Sequence, residues 1–149
     1  MSNRLPVTVV PGDGGPPSLV ASGGGLATAL RAWHRGAGGL WVGWPGPTGS
    51  LSPNDRWAID QALTADGLSP VELTDADVTG YYETFSNGVI WPLFHYLLDR
   101  VPLDDYGWQS YVRVHTRFAD LVEAAYRPGD TIWVHDYHLM LLPALLRQR

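Results

Sequence analysis

Residues 131–137, Thr-Ile-Trp-Val-His-Asp-Tyr, run from a short apolar stretch into a polar end. A continuous apolar run of this length is typical of a strand buried inside a parallel sheet. We therefore predict an interior strand that contains Trp133, Val134 and His135. Ligands of such sheets bind beyond the carboxyl ends of the strands, which is where Asp136 and Tyr137 fall.

Other segments alternate between helical and strand patterns. Residues 40–44 predict a second short buried strand, and a third is expected around residues 70–73. Apolar residues recur at helical spacing over residues 26–36 and over residues 107–125. Thr74 stands three residues before Asp77, an imperfect capping box that predicts a helix through Tyr81, Tyr82 and Phe85. Helices that alternate with buried strands indicate an α/β fold with a mainly parallel sheet and flanking helices.

The first 25 residues are rich in glycine and proline, at residues 11–17 and again at residues 23–25. This composition predicts loops, with a disordered tail as the alternative. The second glycine cluster opens a helix directly. Free backbone N–H groups at a helix N-terminus make this glycine cluster a ready anion site.

Composition narrows the function classes. The chain has 149 residues, a net charge of −5 and scattered basic residues, which argues against a nucleic-acid partner. It has no run of about 18 apolar residues, so we expect no membrane span. With no signal segment recognised, a cytoplasmic location is the simplest expectation. The absence of cysteine excludes disulfides and thiolate metal sites.

His135 and His138 form a His-x-x-His pair around Asp136, which raises the question of a metal site. No cysteine is available, and no glutamate lies between the two histidines. We therefore expect no metal at this position.

Several segments together resemble the trehalose-phosphate synthases. The resemblance rests on residues 2–7 (SNRLPV), on Gly24-Gly25-Leu26, on residues 81–92 (YYETFSNGVIWP) and on residues 133–139 (WVHDYHL). Leu40-Trp41-Val42-Gly43-Trp44 fits the same pattern. Each motif alone is modest, but their shared order and spacing across the whole chain are specific.

The resemblance implies a metal-free, cofactor-free GT-B glycosyltransferase with two Rossmann-like domains. It implies transfer of glucose from UDP-glucose to glucose 6-phosphate with retention, giving α,α-trehalose 6-phosphate and UDP. It assigns Arg4, Tyr82 and Asp136 to glucose 6-phosphate, and Gly24 and Gly25 to the donor. It assigns Trp91 to selection of the acceptor's anomer.

The resemblance also covers only part of such an enzyme. It implies that residues 1–149 are an incomplete N-terminal, acceptor-side domain, and that the nucleotide-sugar domain is absent. No catalytic residue is assigned, and the chain alone is expected to be inactive. The full-length parent is a possible homo-oligomer.

A strand expected before residue 2 is missing, and residues 5–10 are a candidate to take part of its place. Two alternatives stay open at this point: a non-catalytic sugar-phosphate-binding module, and a related transferase or pseudo-glycosyltransferase that uses another acceptor.

Overall fold

The computed structural model describes residues 1–12 and 15–149. Asp13 and Gly14, in the predicted glycine- and proline-rich loop, lie outside the described residues. The chain divides into two compact units, Met1–Glu72 and Leu73–Arg149. The assignment of residues 1–149 to one incomplete domain stays a prediction.

The first unit begins with a hairpin. Strand β1 (Val7–Val10) pairs antiparallel with β2 (Ser18–Ala21), in a register that sets Val7 opposite Ala21. The prediction of loop or disordered tail over the first 25 residues is therefore wrong for these two segments. Branched residues dominate β1, and they favour a pleated, half-buried surface despite the prolines and glycines nearby.

A parallel pair of strands forms the second sheet of this unit. Strand β3 (Trp41–Gly43) pairs parallel with β4 (Leu68–Pro70), so both strand predictions are confirmed, with β4 starting and ending earlier than expected. Residues 2–5 run beside β3 on its other side. Leu5 N–H donates to the Trp44 carbonyl oxygen at 2.9 Å, and Arg4 and Trp44 form a parallel bridge. The segment just before β1 thus extends the parallel arrangement.

Two helices accompany these strands. Helix α1 (Gly25–Ala37) follows the hairpin, and α2 (Pro53–Ala65) connects the two parallel strands, as a crossover requires. The side chains buried together come from the N-terminal segment, the strands and α2: Leu5, Val9, Trp41, Ile59, Leu63 and Leu68. Burial of each large apolar side chain contributes about 1.5–3 kcal/mol. The predicted α/β class, with a parallel pair and flanking helices, is confirmed.

The second unit is helical. Helix α3 (Asp75–Asp77) leads into a π-helical stretch (Val78–Ile90), which continues as α4 (Trp91–Phe94). Both hydrogen bonds of the predicted capping box between Thr74 and Asp77 are present. A 3₁₀ turn (Leu98–Arg100) precedes α5 (Trp108–Ala125), the predicted long helix. A second 3₁₀ turn (Tyr137–Leu139) then leads into α6 (Leu142–Arg147).

The predicted interior strand at residues 131–135 is not observed. These residues carry no strand assignment, and Trp133 is 53% exposed. A strand is held by ladder hydrogen bonds to a neighbour, and the second unit, all of whose residues are described, contains no strand. Apolar sequence alone therefore does not create a strand here.

In the part of the chain that the structure describes, no helix combines the length and apolar character needed to span a bilayer.

Candidate functional site

A strained turn carries the predicted aspartate of the second unit. Asp136 has φ 75° and ψ 161°, a backbone region that is essentially restricted to glycine. Its carboxylate accepts a hydrogen bond from the Tyr137 N–H at 2.7 Å, which caps the 3₁₀ turn that follows. The side chain is about half exposed. Such strain costs about 1–3 kcal/mol and is typical of sites where a side chain must point in a set direction.

His138 brings Asp136 and Tyr82 into one cluster. The imidazole is largely buried, and its Nδ1 lies 3.5 Å from the Asp136 carboxylate. The Tyr82 ring stacks on the His138 imidazole at a centroid distance of 5.5 Å and an interplanar angle of 18°. Tyr137 also stacks on His138, at 4.1 Å. Two of the three residues predicted for glucose 6-phosphate therefore lie around the same histidine.

Tyr137 ties this turn to the π-helical stretch. Its hydroxyl donates a hydrogen bond to the Asn87 side-chain oxygen at 2.9 Å. Burial and the negative charge of Asp136 raise the pKa of Tyr137. The phenol therefore stays protonated and keeps its donor role at neutral pH.

Tyr111, on α5, makes hydrogen bonds to the backbone of the turn that follows Asp136. Its hydroxyl donates to the Tyr137 carbonyl oxygen at 2.7 Å and accepts from the Met140 N–H at 3.3 Å. Burial raises the pKa of Tyr111 to about 12. Its ring packs against Phe85 at 4.8 Å and His115 at 4.1 Å. The turn is therefore held on both sides by hydroxyl groups that stay protonated at neutral pH.

The cluster around Asp136, which comprises Tyr82, Asp136, Tyr137 and His138, suits polar, uncharged groups. A half-exposed carboxylate accepts hydrogen bonds from hydroxyls, and the neighbouring ring faces offer flat apolar surface. Across residues 1–12 and 15–149, no three His, Asp or Glu side chains group as a metal site. The hydrogen-bonding carboxylate and the ring faces of this cluster are chemically suited to a polyhydroxylated ligand.

Trp91 lies further along the same helical run, at the start of α4. Its indole is exposed and stacks on His95 at 4.1 Å with an interplanar angle of 23°. His95 Nδ1 lies 2.7 Å from the Trp91 carbonyl oxygen, so the pair is fixed within one turn. An exposed, supported ring of this kind can receive a sugar face.

The remaining predicted residues lie in the first unit. The Arg4 guanidinium is exposed and sits 4.6 Å from the centroid of the Trp44 ring. Gly24 has φ 125° and precedes α1, and no side chain caps the first N–H groups of the helix. The space beside Gly24 and Gly25 is open. An uncapped helix N-terminus of this kind is chemically suited to an anion.

Comparisons with known proteins identify the family of the chain. The family model described as Glycosyltransferase family 20 matches residues 1–149. This chain belongs to glycosyltransferase family 20. The predicted family is confirmed.

Named relatives of family 20 show what the match covers. The UDP-forming alpha,alpha-trehalose-phosphate synthase A of Dictyostelium discoideum is 41% identical over 100% of this chain and 20% of its own length. A solved UDP-forming synthase from Burkholderia xenovorans, in complex with glucose-6-phosphate, is 28% identical with a TM-score of 0.68, covering 99% of this chain and 29% of its own. A solved E. coli structure bound with UDP-2-fluoro glucose is 33% identical with a TM-score of 0.67, covering 88% and 28%.

The chain spans between a fifth and a third of the length of these relatives, and it corresponds to their N-terminal part. The predicted fold class, an α/β portion of a GT-B glycosyltransferase, is confirmed by these structural neighbours.

The sequence does not indicate several residues that form or support the cluster. It gives no individual role to Tyr111, and Asn87 lies only inside one of the quoted motifs. His138 stands in another motif and is considered by itself only as a possible metal ligand. The available signal was the spacing of Tyr137 and His138 directly after Asp136, because consecutive polar and aromatic residues in a turn share a small space.

Proposed function

We propose that this chain forms the acceptor side of a retaining glycosyltransferase. The enzyme transfers glucose from UDP-glucose to glucose 6-phosphate, and the products are α,α-trehalose 6-phosphate and UDP. The observation that carries the proposal is the 41% identity, over the whole chain, to a UDP-forming trehalose-phosphate synthase. Binding of glucose-6-phosphate by a structural neighbour supports the acceptor.

Roles for the acceptor residues follow from their chemistry. Arg4 presents a permanently charged, planar group to the phosphate. Asp136 accepts hydrogen bonds from sugar hydroxyls, since its carboxylate is half exposed and held by the turn. Tyr82 offers its hydroxyl to the phosphate end, with its ring stacked on His138.

Donor contacts and anomer selection involve other residues. Gly24 and Gly25 leave the N-terminus of α1 open for the diphosphate of UDP-glucose. The solved E. coli structure bound with UDP-2-fluoro glucose supports this donor. Trp91 shapes the acceptor pocket through its exposed ring. No metal or cofactor enters this proposal, and no residue is given a catalytic role.

The alternative is a sugar-phosphate-binding module without transfer activity. A cytoplasmic location and a homo-oligomeric parent stay predictions.

Binding tests the proposal directly. We would titrate the isotopically labelled chain with glucose 6-phosphate and follow the backbone amide signals, using glucose and inorganic phosphate as controls. We expect glucose 6-phosphate to shift the signals of Arg4, Tyr82 and Asp136 at lower concentration than either control. Equal responses to all three compounds would contradict the acceptor assignment.

A second experiment separates the alternatives. A complete family 20 polypeptide carrying residues 1–149 as its N-terminal part is assayed for UDP release with a panel of acceptors. Transfer to glucose 6-phosphate supports the synthase, and transfer only to another acceptor supports the related transferase. Binding without transfer supports the non-catalytic module.

A further inference from the structure

Tyr111 holds the turn of Asp136 by two hydrogen bonds from one hydroxyl group. The hydroxyl donates to the carbonyl oxygen of Tyr137 and accepts from the N–H of Met140. These two backbone groups flank the 3₁₀ turn Tyr137–Leu139. One side chain therefore fixes both ends of the turn that follows Asp136.

These two Tyr111 hydrogen bonds, called here the Tyr111 clamp, stabilise the backbone next to a strained residue. Asp136 occupies a backbone region that is essentially restricted to glycine, and it persists only where the surroundings over-determine it. The Tyr137 N–H is held by its hydrogen bond to the Asp136 carboxylate. The Tyr137 carbonyl oxygen is held by the Tyr111 hydroxyl, so both backbone polar groups of the residue after Asp136 are fixed.

Tyr111 is itself immobilised. Its side chain is 1% exposed and packs against rings on three neighbours, with centroid distances of 4.8 Å to Phe85, 5.8 Å to Tyr81 and 4.1 Å to His115. The His115 Nδ1 also lies 2.6 Å from the Tyr111 carbonyl oxygen. A hydroxyl carried by a ring fixed in this way is a rigid reference point for a strained turn.

We propose that Tyr111 is a positioning residue that sets the direction of the Asp136 carboxylate for the acceptor sugar. It acts through the backbone of Tyr137 and Met140 and does not touch the ligand. The inference rests on the proposed acceptor site, and it adds a residue from α5 to it.

The test uses Tyr111→Phe, which keeps the ring and removes the hydroxyl. We expect glucose 6-phosphate to bind the variant chain about 3- to 10-fold more weakly, the effect of one ordinary hydrogen bond. We also expect the Met140 amide to exchange with solvent at least about tenfold faster. The matched control is Phe118→Leu, on the same helix and fully buried. It changes buried packing and keeps both Tyr111 hydrogen bonds to the turn, so binding and Met140 exchange should stay near the wild-type values.

A further variant separates this inference from the acceptor assignment itself. If Asp136→Asn weakens binding and Tyr111→Phe does not, the positioning role is wrong while the acceptor site stands. If wild-type chain binds but neither variant weakens binding, the acceptor assignment of Asp136 fails and the inference fails with it. If glucose 6-phosphate does not bind at all, the proposed function is contradicted, and Met140 exchange alone judges the clamp.

Wild-type protein also provides a test that needs no variant. The Met140 side chain is exposed, yet its N–H should exchange slowly because it donates to a buried hydroxyl. Exchange as fast as that of the exposed C-terminal residues would overturn the proposal even if Tyr111→Phe failed to fold.

Discussion

The carboxylate of Asp77 is shared between the first turn of its own helix and Arg117 of α5. One oxygen accepts hydrogen bonds from the Thr74 N–H at 3.1 Å and the Thr74 hydroxyl at 2.7 Å, and it also pairs with Arg117. Arg113 approaches the other oxygen at 3.4 Å. Asp77 is only 2% exposed, so this carboxylate connects the capped start of α3 to the long helix.

We expect Asp77→Ala to lower the free energy of unfolding by about 1–3 kcal/mol, the cost of leaving buried hydrogen-bond groups without a partner. The two arginines are half exposed and regain water, which keeps the loss below that of a fully buried ion pair. Urea unfolding followed by circular dichroism measures the change. Asp75→Ala, an exposed carboxylate in the same turn, is the control and should change stability by less than about 0.5 kcal/mol. Equal losses for both variants would contradict the shared role of Asp77.

Acid should destabilise the protein in two pH ranges. Burial alone would raise the pKa of Asp77, but hydrogen bonds from Thr74 and Arg117 hold that pKa below its ordinary value. Its contribution is therefore present above about pH 4 and is lost as the pH falls below that value. Burial lowers the pKa of His115 to about 4. Because the unfolded chain binds this proton near pH 6.5, stability falls as the pH drops from about 6.5 to about 4.

His115→Asn tests the upper of these ranges. The asparagine amide keeps a donor for the Tyr111 carbonyl oxygen and removes the titrating ring. Between about pH 6.5 and 4, we expect the variant to lose stability less steeply than wild type, by up to about 1.4 kcal/mol per pH unit. Thermal unfolding at a series of pH values gives both slopes. Parallel curves for the two proteins would show that His115 is not the buried neutral group described here.

Gly80 of the π-helical stretch lies against Ser110 of α5. A Cβ built at Gly80 would overlap the side chain of Ser110. We expect Gly80→Ala to destabilise the protein by about 1–3 kcal/mol through overpacking. Adding Ser110→Gly should restore part of the loss.

Gly36→Ala is the matched control for Gly80→Ala. Gly36 lies in α1 with open space around its Cβ position, so alanine there should stabilise the helix by up to about 1 kcal/mol. Denaturant unfolding of both variants measures the contrast. Destabilisation by Gly36→Ala of the same size as by Gly80→Ala would contradict the packing account.

The sequence predicts elements formed within one segment better than it predicts pairing between distant segments. Elements whose pattern lies within one segment are predicted correctly. The capping box at Thr74, the helical period of α5 and the apolar run of β3 are examples. The hairpin of β1 and β2 was missed because its pairing joins two segments separated by a glycine- and proline-rich stretch. Residues 131–135 were predicted as a strand because their composition fits one, but a strand needs a neighbour, which composition does not report.

The candidate site shows the same division. Asp136 was predicted from its place after an apolar run, and family motifs supplied Arg4, Tyr82 and Trp91. Neither source indicated that His138 stacks on Tyr82 or that Tyr111 reaches the turn. Those contacts join positions more than 25 residues apart in the chain, and a periodic pattern carries no information about them.

Activity of the chain by itself provides another test. We expect no measurable UDP release when residues 1–149 are mixed with UDP-glucose and glucose 6-phosphate, because these residues span only 20–29% of the length of the relatives compared above. A coupled assay for UDP detects turnover, with a complete family 20 synthase as the positive control. Formation of trehalose 6-phosphate by the isolated chain would contradict the proposal that this segment is only part of the enzyme.

The central claim is that this chain carries the residues that bind glucose 6-phosphate, and Arg4→Ala in a complete family 20 polypeptide carrying residues 1–149 tests it most directly. We expect KM for glucose 6-phosphate to rise about 10- to 150-fold, since a charge-assisted hydrogen bond to phosphate contributes about 1.5–3 kcal/mol. Asp136→Asn should lower kcat as well as weaken binding, with little change in melting temperature. Arg35→Ala, an exposed arginine on α1, is the control and should leave KM unchanged. A wild-type KM in Arg4→Ala, with a lowered melting temperature as the only effect of Asp136→Asn, would contradict the acceptor site proposed for this chain.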